Sequence, residues 1–319
     1  MIDQEELLVE VARYYYDQNL TQAEIGRRIN ASRSTVSRLL QQALDSGIVR
    51  IIINYPWERA HDLEQSLCAK FKLRDAQVLV GKGRSEEEIR KGMGVLAARL
   101  IDSHLKDGTI LGVSYGRSLA STVAALSPKR KVAMTVIPII GALGSDNPQI
   151  DGPELVRQIA QMYGGEFRYL PVPLLVEDAR TRDALVQSTQ IYETLNLARK
   201  SNIVLLGIGA PSPAPEVSSI IWSGYLNERE LSWLKEQGAA GHMCGQFYDI
   251  QGQLLDVDLN RRAIGIGIKA LASIDLVIAV AGSEAKSEAI LGALRGRYLN
   301  VLVTDDAAAS KVLALAEMI

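Results

Sequence analysis

Six short, almost unbroken apolar runs recur along the chain: 76–80 (AQVLV), 109–113 (TILGV), 133–139 (AMTVIPI), 203–209 (IVLLGIG), 275–280 (DLVIAV) and 300–304 (NVLVT). A strand that is apolar at nearly every position has protein on both of its faces. Helical patterns at 86–105, 118–126, 153–163, 189–200, 286–295 and 305–317 lie among these runs. Strand–helix alternation of this kind predicts an α/β fold, a doubly wound and mostly parallel sheet with helices on both sides. Ligands of such sheets bind beyond the carboxyl ends of the strands. The segments that follow residues 113, 139, 209 and 280 are therefore the places to look.

The first of these is Ser114-Tyr115-Gly116-Arg117-Ser118, which leaves a strand and opens a helix. Gly116 lets the backbone turn, Ser118 is placed to cap, and the freed N–H groups with the Ser114 hydroxyl form an anion nest. Arg117 opposes the helix dipole unless an anion is beside it. A plain strand–helix turn with a solvated arginine is the alternative. The segment Ala281-Gly282-Ser283-Glu284-Ala285-Lys286 repeats the conflict, with Lys286 in a first helical turn and a surface lysine partly offset by Glu284 as the alternative. Gly141 and Gly209 stand in the other two segments, where small residues admit either a ligand or tightly packed backbone. Neither GxGxxG nor GxxxxGK[ST] occurs in these loops, so dinucleotide and P-loop sites are not indicated.

His242, in AAGHMCGQFYD, is one of three histidines. It reads as a structural histidine or as a ligand contact. With Cys244 it forms only a pair, short of a metal site. Glu284, His242 and Asp249 make no recognisable catalytic set, and no metal, cofactor or catalytic residue is expected.

The first sixty residues follow a different pattern. Leu7, Leu8, Val11, Ala12 and Tyr15 predict a helix over about 4–18. Thr21 with Glu24 is a capping box that starts a second helix at Gln22. That helix closes near Asn30, which tolerates left-handed backbone. Ser32 caps a third helix with Val36, Leu39, Leu40 and Ala43 on its inner stripe, Gly47 stops it, and 48–53 (IVRIII) reads as a strand. The order is that of a helix-turn-helix with a possible wing. Arg33, Ser34, Thr35, Ser37 and Arg38 lie on the third helix, a set suited to base edges and phosphates, with Thr21 and Gln22 at the start of the second. From Thr21 to Arg50 five arginines face two acids. A helical oligomerisation module with a solvated charged face is the bland alternative.

This local excess matters because the chain of 319 residues has a formal net charge of −2. Nucleic-acid contact must come from a patch, and 5% aromatics argues against base stacking as its mode. Two distant cysteines suit reduced thiols in a cytoplasmic protein. The acidic start is unlike a signal peptide, and no apolar run reaches the roughly 18 residues of a membrane span. Residues 1–54 are read as the DNA-binding domain, 55–60 as a linker and 61–319 as an α/β domain with candidate ligand sites at its sheet-rim loops; the resemblance that follows implies effector binding and oligomerisation for it.

The pieces LTQAEIGRRINASRSTVSRLLQQALDSGIVRI, LGVSYGRSL, VLLGIGA, GQFYDIQG and AGSEAKSEAILGALRGRYLNVLVTD resemble those of SorC/DeoR-type bacterial transcriptional regulators along essentially the whole chain. The resemblance implies a DNA-binding head joined to an effector domain similar to sugar-phosphate isomerases, glucosamine-phosphate deaminases and CoA transferases. It also implies a sugar or polyol effector, commonly phosphorylated, held at Ser114–Ser118 with Lys286 nearby, double-stranded operator DNA as partner, and assembly as a homo-oligomer, dimer or tetramer. Two positions depart from the family. His242 stands where an acid is common, and Ile140 stands where one branch carries a Schiff-base lysine, so no Schiff base is expected. A sugar-phosphate enzyme with a regulatory head is the competing reading.

Overall fold

The computed structural model describes residues 4–49, 57–144, 147–212 and 225–318. The chain forms two compact units, Met1–Pro56 and Trp57–Ile319.

In the first unit α1 (Gln4–Tyr16), α2 (Gln22–Arg28) and α3 (Arg33–Asp45) enclose a small core of Leu8, Val11, Ala12, Ile25, Val36, Leu39, Leu40 and Ala43. The capping box forms as expected: Glu24 N–H donates to the Thr21 hydroxyl, and Thr21 N–H donates to the Glu24 carboxylate at 2.8 Å. Asn30 takes φ +54° between α2 and α3. Gly26 is needed at that turn, because a Cβ there would stand 2.6 Å from the Ala31 carbonyl oxygen. Ser32 caps α3 by accepting the Thr35 N–H at 3.1 Å. After Gly47, Ile48 and Val49 form a bend packed on this core instead of the start of a strand. The rest of the expected strand, residues 50–53, lies outside the described residues.

The second unit is built on a seven-stranded sheet, parallel throughout, in the order β1-β9-β8-β5-β2-β3-β4. The strands are β1 (Asp75–Leu79), β2 (Ile110–Val113), β3 (Thr135–Pro138), β4 (Glu166–Phe167), β5 (Ile203–Gly207), β8 (Leu276–Val280) and β9 (Val301–Asp305). A separate antiparallel hairpin joins β6 (Gly241–Met243) to β7 (Gln246–Tyr248). The helices are α4 (His61–Phe71), α5 (Glu86–His104), α6 (Arg117–Ala124), α7 (Gly152–Tyr163), α8 (Ala179–Gln187), α9 (Thr189–Ala198), α10 (Glu228–Glu236), α11 (Asp258–Arg262), α12 (Ser287–Arg295) and α13 (Asp306–Met318). Two buried cores result, one holding Leu111, Val113, Leu205 and Ile278, the other Val204, Leu206, Val277 and Ala279. Neighbouring residues of one strand thus feed opposite cores, which is why the runs show no polar alternation.

From β2 the chain winds outward through β3 and β4, whereas β5, β8 and β9 lie on the other side of β2. The winding direction therefore reverses between β2 and β5, and a crevice opens beyond their carboxyl ends.

Of the segment expected to link the units, residues 58–60 run beside β1. Ala60 N–H donates to the Val78 carbonyl and Val80 N–H to the Glu58 carbonyl, both at 2.8 Å. Glu64 on α4 secures this strip, accepting Arg59 Nε at 2.7 Å, His61 Nδ1 at 2.8 Å and Val78 N–H at 2.8 Å. Burial alone would raise the Glu64 pKa; its hydrogen bonds from Arg59, Val78 and His61 outweigh that and hold it below the usual value. No helix among the described residues is long and apolar enough to cross a membrane.

Candidate functional site

The β2–α6 loop and the β5 exit line one cavity of about 60 Å³ in the crevice. Ser114, Tyr115, Gly116, Arg117 and Ser118 form one side; Gly209, His242 and Lys286 approach from elsewhere. The sequence had placed all of these in an effector site, and the fold brings them together. Arg90 of α5, which sequence reasoning missed, lines the same cavity.

The local geometry departs from the expected nest in two respects: Gly116, not Ser118, is the N-cap of α6 and no side chain caps it, and two of the expected backbone donors are already engaged. Ser114 N–H donates to the Leu205 carbonyl at 3.0 Å, and Gly116 N–H donates to the Ile150 carbonyl at 2.8 Å. These two donors are spent on the fold. The groups that remain are those of the first turn of α6, Arg117 to Leu119, whose N–H groups have no acceptor within the helix. Gly116 adopts φ +120°, ψ 166°, which a side chain would resist, and this turns the α6 start toward the crevice.

The electrostatics are unbalanced. Lys286 is pulled down to about 8, first by burial and then by Arg117, with Arg90 adding to the effect and only Asp305 opposing it. Arg90, Arg117 and Lys286 thus line one crevice; Glu86 and Glu284 stand at the adjoining cavity, and the carboxylate that acts on Lys286 is that of Asp305. That carboxylate is already engaged, accepting Ser283 N–H at 2.5 Å and Ala308 N–H at 2.9 Å. Ser283 is held at φ +85°, unusual for a residue with a side chain, so the loop that presents Lys286 is pinned by Asp305 in a strained form. An anion placed among Arg90, Arg117 and Lys286 would relieve their repulsion and restore the lysine's proton affinity.

His242 is buried at the same cavity and is driven down to about 3, chiefly by burial and then by Lys286. It is a neutral imidazole that donates at one nitrogen and accepts at the other. Its ring packs against Phe247, with centroids 5.2 Å apart.

Two of the expected glycines fall elsewhere. Gly141 does not line this cavity: its N–H donates to the Ile264 carbonyl at 3.0 Å and its Cα faces the backbone of Val172 and Pro173, so it serves close packing. Gly282 lines a second cavity of about 200 Å³ on the other side of Lys286, with Ile89, Arg90, Met93, Ser283 and Asp305. Arg90, Ser118 and Lys286 line both cavities. No group of three or more His, Cys, Asp or Glu that would hold a metal occurs among the described residues.

On the first unit, Arg33, Ser34, Ser37 and Arg38 are exposed on α3. Thr35 is half-buried and its hydroxyl lies 2.8 Å from that of Ser32, inside the cap. Thr21 is exposed, and its hydroxyl donates to Glu24 at 2.7 Å. Gln22 is half-buried at the first position of α2.

A capped helix-turn-helix followed by an α/β unit with a cation-lined crevice defines a ligand-responsive transcriptional regulator. Comparison with known proteins gives the family. Residues 55–314 match the Sugar-bind family, described as "Putative sugar-binding domain", and residues 4–46 match "Sigma-70, region 4". The chain is similar to the sorbitol operon regulator of Klebsiella pneumoniae, 36% identical over 303 residues, covering 94% of this chain and 95% of that protein. It is also similar to the deoxyribonucleoside regulator of Bacillus subtilis, 30% identical, covering 95% and 96%. The crystal structure of full-length SorC from Klebsiella pneumoniae superposes with a TM-score of 0.73 at 33% identity, covering 96% of this chain and 98% of that one. The chain belongs to the Sugar-bind family of SorC/DeoR-type transcriptional regulators, and its relatives are regulators, not enzymes.

Proposed function

We propose that this regulator controls a carbohydrate or polyol operon in the cytoplasm and that its effector is a phosphorylated sugar or polyol. The observation that carries the reading is the convergence of Arg90, Arg117 and Lys286 on one crevice, with Asp305 as the carboxylate that acts on Lys286 and Glu86 and Glu284 at the cavity beside it. A phosphate carries about −1.5 to −2 charges near neutral pH, the sign that these three basic side chains attract. Ser114, Ser118 and neutral His242 supply donors and acceptors for phosphate oxygens and hydroxyls. Gly209, lacking a side chain, leaves the space that the His242 ring occupies.

Arg33, Ser34, Ser37 and Arg38 are the residues assigned to the operator, with Thr35, Thr21 and Gln22 holding the helix starts against the duplex. A helix-turn-helix reads paired half-sites about 34 Å apart, so the working form is a homo-oligomer, a dimer or tetramer. Effector binding changes how the heads are held, and a coupling of about 1–3 kcal/mol is enough to change occupancy several-fold or more.

The test is a thermal-shift comparison of sugar and polyol phosphates with their unphosphorylated counterparts, followed by DNA retention with each hit. A ligand at a hundred times its Kd stabilises by about 2.7 kcal/mol, a shift of several degrees. Stabilisation by phosphorylated compounds only, with a change in DNA retention, is the expected result. Equal stabilisation by the free sugars removes the phosphate from the reading.

A further inference from the structure

The crevice and Trp57, the first residue of the second unit, meet on one helix. Arg90 of α5 lines both cavities, and Ile89 and Met93 line the second. Met93 also touches the effector loop: a Cβ on Gly282 would stand 2.7 Å from its Sδ. One residue before Met93 is Gly92, and its missing side chain is filled by Trp57. A Cβ on Gly92 would lie 2.6 Å from Trp57 Cε3 and 2.7 Å from Leu79 Cδ2. The Arg84 guanidinium, just before the α5 cap, sits 5.0 Å from the centre of the same indole. Trp57 is half-buried, and in the chain it follows α3 of the first unit after residues 46–56.

We propose that α5 is the read-out helix of this regulator: Arg90 draws toward a bound anion, and the accompanying shift of α5 is passed through Gly92 to Trp57, where the second unit begins. The proposal rests on the anion reading of the crevice given above. The contacts are arranged for it. Residues 89, 90 and 93 face the cavities, while residue 92, about 100° of rotation from residue 93, faces Trp57. Neither contact leaves room for a Cβ, Met93 at Gly282 or Trp57 at Gly92, so a displacement of α5 bears on both. Tightly packed interfaces switch between discrete arrangements instead of absorbing such shifts. The indole has a further handle in Arg84, whose cation lies over its face. Arg90 is thus a positioning residue with two neighbours: the anion that attracts it and the helix that carries it.

The experiment uses the full-length chain. The protein has three tryptophans, and replacing Trp222 and Trp233 by Phe leaves Trp57 as the sole indole. This variant is titrated with inorganic phosphate, with sodium chloride of equal ionic strength as the blank, while Trp57 emission and the melting temperature are followed in parallel. The expected result is a saturable change in emission whose half-saturation matches that of the rise in melting temperature. Arg90→Gln should raise both half-saturation points at least ~10-fold. Gly92→Ala, which forces the indole off the helix, should keep the melting response at its original half-saturation and lose the emission change. If phosphate raises the melting temperature while Trp57 emission stays flat, the read-out proposal falls and the anion site stands. If Arg90→Gln leaves the half-saturation where it was, Arg90 is not the sensor and the proposal falls. If phosphate changes neither signal, both the read-out and the anion site are wrong.

Discussion

Gly209 and His242 are locked together: each donates its backbone N–H to the other's carbonyl, at 3.1 Å from Gly209 and 2.8 Å from His242, and the imidazole fills the space where a side chain on residue 209 would be. The ring is therefore aimed at the crevice by a missing Cβ. Gly209→Ala should push the ring aside and weaken effector binding about 10-fold, or ~1.4 kcal/mol, while DNA binding without effector stays unchanged. Calorimetric titration of the variant, paired with DNA retention, checks both halves.

Lys286 sets the pH dependence of anion binding. Its ordinary value of 10.5 falls to about 8 in the crevice, so it is mostly charged below that pH and neutral above it. Phosphate is already fully ionised above about pH 7, leaving the lysine as the group that titrates in this window. Affinity for a phosphorylated effector should fall as pH rises from about 7 to about 9.5, with about half a proton taken up on binding at pH 8 and close to one about a unit above. Lys286→Ala should bind weakly and show a flat profile over the same range. Affinities measured across those pH values test this.

His242 makes the fold sensitive to acid. Its folded value of about 3 lies below the ordinary 6.5, through burial first and Lys286 second. Between those values the unfolded chain holds a proton that the folded chain does not. The stability it contributes is complete above pH 6.5 and is lost as pH falls toward 3, at up to about 1.4 kcal/mol per pH unit. His242→Gln should lose less stability than the parent across this window. Denaturant midpoints at several pH values, parent against variant, show the difference.

Arg33 and Arg38 are exposed on α3, whose first turn is fixed by Ser32. Each change to Ala should weaken operator binding by ~1–3 kcal/mol where the guanidinium reads a base. Where it meets a phosphate, binding should weaken evenly across sequences and the salt slope should drop by about 1. Gel retention over a salt series, with operator and unrelated DNA, separates the two roles.

Much of this architecture was legible because its signals are local. The capping pair Thr21 and Glu24, the cap Ser32 and the left-handed Asn30 each specify a helix boundary within four residues. The apolar runs announce strands because both faces are buried. Elements with weaker signals escaped. β4 is two residues at the sheet edge, and α8 buries none of its side chains. The β6–β7 hairpin turns on Cys244 and Gly245, both at positive φ. That geometry suits a two-residue turn, but cysteine is not a residue that advertises it. The helix α10 could have been found, since Asn227 and Glu230 form a capping box.

In the site, the loops beyond β2, β5 and β8 converged as the sheet rule requires. Arg90 was missed because EEEIRK reads as a solvated helix start, and only the fold shows that this turn of α5 lies over the crevice. Gly141 shows the opposite case, while Gly282 lines the adjoining cavity that shares Arg90, Ser118 and Lys286 with the crevice. A glycine after a strand marks close approach without saying whether a ligand or a neighbouring chain segment is what approaches.

The most direct measurement of the central claim is a crystal structure of the full-length protein with a phosphorylated sugar or polyol that stabilises it. The account predicts the phosphate in the crevice between β2 and β5, within hydrogen-bonding distance of Lys286 and the first turn of α6, with Arg90 turned toward it. A crevice left without the phosphate, and the compound bound at another place on the protein, would contradict it.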